Sequence, residues 1–448
     1  MHLTLVSLVA GAAALSLAPP APISDREIVS SLLNNPILLP RSSHKLLQAR
    51  AAQLDPSGTL TRRQFPGGLG GAGGAPKLDI GSLLGLLSPK GNGPQPVPPN
   101  SSVPEVRNVP AKGTWKDPGA KAVKIRYGPY RIPPTSEKNF ESEVLNVQGM
   151  ANTFKMGAKK PCTGECTILA IFADLEYADG SPATNANGAW FHHTVLLNSG
   201  PKVLEPNCGT GRVENIFMSG NERTTGGFAL PDAKIKSGYS ITAADSFILS
   251  TELMNMQNME KWVWLTIHYE YLDGPHPDYR QGKTLWMTIG PEIRCPGTNI
   301  TSPWGPSNLT MSQQPKTEVF SEHSFPWRAP QPGLILGTGG HMHDGGVGVE
   351  IFKNSELICN SVPHYTKSTG HGMGGMRRRQ LKGGDYNNLE ILHIEKQDPC
   401  NFPDGIPLQK GDTMHLQANY NFKKYPGMKN KKGELDEVMG IVGTLVAF

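Results

Sequence analysis

Trp190-Phe191-His192-His193-Thr194, Ile267-His268-Tyr269, Gly340-His341-Met342-His343-Asp344 and Glu437-Val438-Met439 follow one another along a chain of 448 residues. Taken from them as metal ligands are five imidazoles and the thioether of Met439. His192, His193 and His268 make an all-nitrogen set that copper, zinc or iron can occupy. His341, His343 and Met439 add a soft sulfur, which beside two imidazoles favours a metal that passes through Cu(I). Two unequal copper sites suggest one copper that binds oxygen and another that supplies an electron, so redox enzymology is the leading reading.

The spacing sets conditions on the backbone. His341 and His343 are two apart on an expected strand, so both rings emerge on one face. Gly339-Gly340 before them and Gly345-Gly346 after them mark a close backbone approach or a bulge. Met439 falls on a later alternating strand. His192 and His193 are neighbours, which point to opposite faces of an ideal strand. Both reach one metal only if a bulge re-aims a ring, or if they ligate through different ring nitrogens. His268 lies in an alternating strand and is the expected third corner.

The elements that must position these residues read as short strands. Cys166 to Ala173 is a buried run, Trp262 to Tyr269 alternates, and Val347 to Phe352 turns back through Lys353-Asn354-Ser355-Glu356 as a hairpin. No long stretch carries helical periodicity. The expectation is all-β: two tandem jelly-roll-like β-sandwich domains after a disordered N-terminal region. Residues 116–290 form the first sandwich with the all-His set, 291–325 a proline-rich linker, and 326–448 the second sandwich with the His-His-Met set. Residues 19–115 include the Gly/Ala tract Gly67–Gly74 and the Pro/Ser-rich stretch 94–104, and read as a disordered pro-segment or linker. The dibasic Arg62-Arg63 offers a processing site after Arg63.

The formal net charge of +5 is too mild to argue for a nucleic-acid partner. The basic runs Arg377-Arg378-Arg379 and Lys423-Lys424 with Lys429, Lys431 and Lys432 sit among Gly, Asn and Pro, as solvated loops do, without interleaved aromatics. Residues 1–18 read as a secretory signal, too short for a membrane anchor, and no other stretch approaches one. A secreted, extracellular protein is expected. Cys162, Cys166, Cys208, Cys295, Cys359 and Cys400 fit that compartment as up to three disulfides, with their pairing left open. Sequons at Asn100, Asn299 and Asn308 are compatible with glycosylation.

Taken in order, Trp190 to Leu197, the Thr266-Ile267-His268-Tyr269 strand, His341-Met342-His343, Gly411-Asp412 and Asp436-Glu437-Val438-Met439 resemble the copper type II, ascorbate-dependent monooxygenases, which include the peptidylglycine and dopamine hydroxylases. The Gly340 to Gly346 stretch looks closest to the stress-upregulated nodulin-like relatives. The resemblance spans most of residues 120–448. It implies two sandwiches facing across a water-filled cleft, with oxygen bound at the copper of His341, His343 and Met439. The copper of His192, His193 and His268 would store an electron, ascorbate would be the reductant, and an activated C–H bond of a small substrate would be hydroxylated. The peptide-specific members carry a basic residue two positions before the His-x-His pair and a tyrosine after the methionine. Here Gly339 and Gly443 stand in those places, and neither can make a charge-assisted contact to a carboxylate, so peptidylglycine is not the expected substrate.

Two other readings compete. A mononuclear cupin-type centre would combine His341 and His343 with Glu350 and His415, and a non-catalytic reading makes the histidines copper buffers in a cell-wall module.

Overall fold

Alternating residues build strands because one face must pack while the other need not. In the computed structural model nearly every such run does so. The structure describes residues 25–34, 41–54 and 96–448, apart from 303–316, 370–389, 428–437 and some shorter stretches. The expected signal, Arg62-Arg63, the Gly/Ala tract, Arg377–Arg379, Lys429, Lys431, Lys432 and the sequon asparagines Asn299 and Asn308 lie outside the described residues.

The first half supplies β1 (Val106–Val109), β2 (Lys121–Ile132), β3 (Met150–Ala158), β4 (Cys166–Glu176), β5 (Ala189–Ser199) and β6 (Val213–Gly220). It continues with β7 (Gly226–Gly227), β8 (Ser237–Ile241), β9 (Ser246–Asn255), β10 (Lys261–Asp273) and β11 (Arg280–Thr288). Then come β12 (Ile293–Arg294), β13 (Thr301–Ser302), β14 (Val319–His323), β15 (Trp327–Arg328), β16 (Gly333–Met342) and β17 (Gly346–Lys353). The last are β18 (Glu356–Ser361), β19 (Pro363–Thr369), β20 (Glu390–Gln397), β21 (Cys400–Leu408), β22 (Thr413–Asn421) and β23 (Gly440–Ala447). Among the described residues three α-helices accompany them: α1 (Asp25–Asn34), α2 (Arg41–Leu54) and α3 (Phe140–Leu145).

One sheet runs through both halves in the order β1-β2-β10-β4-β8-β11-β23-β16-β21, with β7 on β4. Its first part faces the four-stranded sheet β3-β9-β5-β6 across a core of Ile125, Ile171, Phe191, Phe217, Leu253, Ile267 and Tyr269. Its second part faces β14-β22-β17-β18 across a core of Met287, Ile335, Val349, Leu416, Tyr420 and Val442. The fold is thus all-β, two sandwiches sharing one long sheet. β11 lies before the expected linker, yet it pairs in register with β23, Trp286 opposite Gly443 and Thr288 opposite Ile441.

A third apolar cluster joins the two sandwiches. Val195, Leu197, Val213 and Ile248 lie on the face of the four-stranded sheet turned away from its own core, and they meet Trp286 of β11 together with Met439 and Ile441 from the second half. Into the same cluster go Ile28, Leu32 and Leu33 of α1 with Leu47 and Ala51 of α2. These helices correct the expectation of a wholly disordered N-terminal region. Each is too short to be stable alone, and it is this buried surface that orders them. They were grouped with the Gly/Ala tract Gly67–Gly74 and the Pro/Ser-rich stretch 94–104 that follow them.

The cysteines pair as Cys162–Cys166, Cys208–Cys295 and Cys359–Cys400. No described helix is long and apolar enough to cross a membrane.

Candidate metal centre

The centre is built on the joint between the sandwiches. In β5 the register against β9 shifts between Phe191 and His193, so His192 is the extra residue of a bulge. The neighbours His192 and His193 therefore stand side by side, ring centroids 4.0 Å apart. His193 pairs with Glu252 in β9, which in turn pairs with Asn152 in β3. That row continues the face of Val195 and Leu197, away from the core that holds Phe191.

From the second half, His341 lies opposite Ile441 and Met342 opposite Gly440, so His341 and His343 share a sheet face with Ile441 and Met439. The His343 amide donates to the Met439 carbonyl at 3.2 Å. The flanking glycines are places of close approach. A Cβ on Gly340 would stand 2.7 Å from Gln397 Nε2 and 3.1 Å from Val349, and Gly345 has φ +98°, a region that L side chains avoid. The Gly340 amide is held by Ser361 Oγ at 3.0 Å.

His193, His341 and His343 converge, each offering a ring nitrogen within 4.8 Å of the others. Ring centroids are 6.2 Å apart for His193–His341, 6.4 Å for His193–His343 and 5.8 Å for His341–His343. Nitrogens bound to a common metal at ~2 Å stand at most ~4 Å apart, so the set closes on an ion with side-chain movements of roughly an ångström. His192, His193 and Glu252 form an overlapping group.

Glu252, whose side chain is 1% exposed, organises this pair. Its Oε2 accepts from His193 Nδ1 at 3.1 Å, and His192 Nδ1 lies 3.2 Å from the same oxygen, too oblique for a full hydrogen bond. Burial pushes the Glu252 carboxyl up, but the two imidazoles outweigh it and hold it well below the usual range. An ionised carboxylate only accepts, so His193 carries its proton on Nδ1 and presents the lone pair of Nε2. Burial and then the His192 ring push the His193 imidazole down, against the pull of Glu252, which favours the neutral ligand form. A buried carboxylate behind a ligating histidine fixes both tautomer and ring orientation.

The structure does not bring His268 to this group. His268 lies between Lys124 and Phe172 on β10, with its strand neighbours Ile267 and Tyr269 in the first core. Its ring meets Phe172 edge-on at 5.4 Å, and its Nε2 lies 3.5 Å from Glu270. It faces outward from one sheet while His193 faces outward from the other, so a whole sandwich core, with its sheets about 10 Å apart, separates them. His415 is placed elsewhere too: it stacks on Phe352 at 4.9 Å, on the strand whose Met414 and Leu416 enter the second core. Met439 stands beside His343 on the shared face, 8% exposed, packed in the joint cluster with Trp286 and Ile441. Glu252 was missed from the sequence. Its signal was a lone acid in Ser246–Asn255, a strand otherwise of apolar, hydroxyl and amide residues.

An all-β fold with three convergent imidazoles, one backed by a buried carboxylate, makes a double sandwich with a candidate metal site at its joint. Comparison with known proteins supplies the metal and the chemistry. The chain is 31% identical over 322 residues to the probable copper-dependent oxygenase M1 of Phoma sp., a match covering 71% of this chain and 70% of the relative. It is 31% identical over 273 residues to the probable copper-dependent oxygenase clz3 of Cochliobolus lunatus, covering 60% of this chain and 75% of that one. The protein belongs to this family of copper-dependent oxygenases. No family model matches the chain. A solved structure, PNGF-II in its P21 crystal form, gives a TM-score of 0.31 at 8% identity over 76% of this chain and 65% of that chain, a likeness too slight to carry an argument.

Proposed function

We propose that the copper of this oxygenase is held by His193, His341 and His343. The observation that carries this reading is the convergence of their ring nitrogens within 4.8 Å, from two separate sandwiches. The donor set suits copper: three neutral imidazoles leave coordination positions open, and the thioether of Met439 beside His343 is a soft ligand available to Cu(I). Copper bound there would supply the redox chemistry of oxygenation. The chain's own residues orient His193 through Glu252, hold the His341–His343 loop through Ser361 and Met439, and wall the site with apolar side chains.

The finer reading is an ascorbate-dependent monooxygenation of an activated C–H bond in a small molecule, by a secreted protein of the copper type II class. Gly339 and Gly443, directly opposite each other in the ladder between β16 and β23, present no side chain to a substrate carboxylate, which argues against peptidylglycine. The ligand assignment is tested by metal analysis and electron paramagnetic resonance of the purified protein and its His→Ala variants. Loss of the copper signal in His193→Ala, His341→Ala and His343→Ala, with His268→Ala unchanged, is the expected pattern. Loss in His268→Ala with retention in His193→Ala would overturn it. Oxygen uptake with ascorbate, after copper loading, tests the reductant.

A further inference from the structure

Helix α2 presses one face onto the joint beside the metal centre. Ser43, Leu47 and Ala51 recur every four residues and so share that face. Leu47 and Ala51 pack in the cluster of Val195, Leu197, Ile248, Trp286 and Met439. Ser43, 5% exposed, donates to Glu252 Oε1 at 2.5 Å and accepts from Asn152 Nδ2 at 2.9 Å. One carboxylate therefore separates a helix hydroxyl from a proposed copper ligand: Ser43 on one oxygen of Glu252, His193 on the other.

We propose that this face of α2 occupies a ligand's place. The floor beneath it binds an elongated apolar molecule bearing a hydroxyl group, which displaces the helix, sets its hydroxyl on Glu252 and lays its hydrocarbon along Val195, Leu197 and Met439. Three observations carry this. The floor is apolar with one polar end, and that end adjoins His193. Glu252 Oε1 accepts from the Ser43 hydroxyl, so the polar end of the floor is already shaped to take a hydroxyl donor. The occupant is a pair of helices of 10 and 14 residues, lengths that hold no helix in water without tertiary support, so the segment depends on this floor for its order. Its attachment to the sandwiches runs through the stretch carrying Arg62-Arg63. The proposal rests on the copper site above, because it sets the ligand's head beside His193.

The test uses the full chain, with n-decanol and decanoate as probes, followed by titration calorimetry and hydrogen exchange on copper-free and copper-loaded protein. Ser43→Asp puts a second carboxylate on Glu252 and should raise exchange over residues 41–54. It should bind n-decanol at least tenfold more tightly than the unsubstituted chain and leave decanoate unbound, with bound decanol protecting residues 189–199. Unchanged exchange over 41–54, equal decanol affinity in both proteins, or decanoate binding as well as decanol would each overturn the proposal. If Ser43→Asp does not fold, Ser43→Ala removes the donor alone and carries the same test with a smaller gain, a few-fold. Decanol binding is read without copper, so a failure to load copper would sink the metal assignment and leave this result standing.

Discussion

His193 donates through Nδ1 to Glu252 Oε2 at 3.1 Å, and that bond joins neighbouring strands of one sandwich at the point where the other sandwich delivers His341 and His343. The carboxylate is an outer partner of the proposed metal set, so its role separates cleanly from that of the proposed ligands. Glu252→Gln keeps the shape and one acceptor but loses the charge. Copper affinity, read by competition with a chromophoric chelator, should fall 10- to 100-fold while stoichiometry at saturating copper stays unchanged.

Met439 has two jobs in the proposed site, packing and soft ligation. Met439→Leu conserves volume and should cost less than about 1.5 kcal/mol of stability. Cu(I) affinity should drop roughly tenfold, equivalent to about 1.4 kcal/mol, while Cu(II) affinity holds. Separate titrations of the two oxidation states check this, and an equal loss in both would assign the residue to packing alone.

The disulfides should differ in weight. Cys208–Cys295 closes a separation of 87 residues, whereas Cys162–Cys166 closes 4. In the chain-entropy account the longer loop constrains the unfolded chain more. Cys208→Ala with Cys295→Ala should lower the unfolding free energy by ~2–5 kcal/mol, and the same double replacement at Cys162 and Cys166 should cost clearly less. Urea denaturation of both variants gives the comparison.

Glu205 gives the fold a pH dependence of its own. Burial pushes its carboxyl up from 4.5 to about 7, although the amides of Asn207 and Cys208 favour the ionised form. The folded state thus keeps a proton that the unfolded state releases. Stability should decline as pH rises from about 4.5 to about 7, by about 3 kcal/mol from this group, and level off above. Glu205→Gln should remove that slope; denaturant midpoints of both proteins at pH 5 and pH 8 measure it.

Much of the architecture was legible because strands write their period into the chain. Trp262 to Tyr269 and the His341-x-His343 pair behave as alternation requires, and of the two ways the adjacent His192 and His193 could both face one metal, a bulge or different ring nitrogens, a bulge is found at that point. Alternation gives a face, however, and does not say which side of a sandwich that face is on. His268 was grouped with His192 and His193 for this reason, and the fold sends it to the far side of the core. Glu252 was hidden because an acid on a strand has no distinctive neighbours until the partner strands are aligned. Helices α1 and α2 were hidden because their order comes from a surface assembled out of residues more than a hundred positions away.

The placement of β23 between β11 and β16 has a consequence for biosynthesis. During translation the long sheet stays open at its middle until residues 440–447 have emerged from the ribosome, because the strands on either side of the gap bond chiefly through that late arrival. The second sandwich, the joint and the floor under the helices all wait for it. Closure of the long sheet therefore waits for residues 440–447, and a chain halted before residue 440 would leave both flanking edges exposed to aggregation.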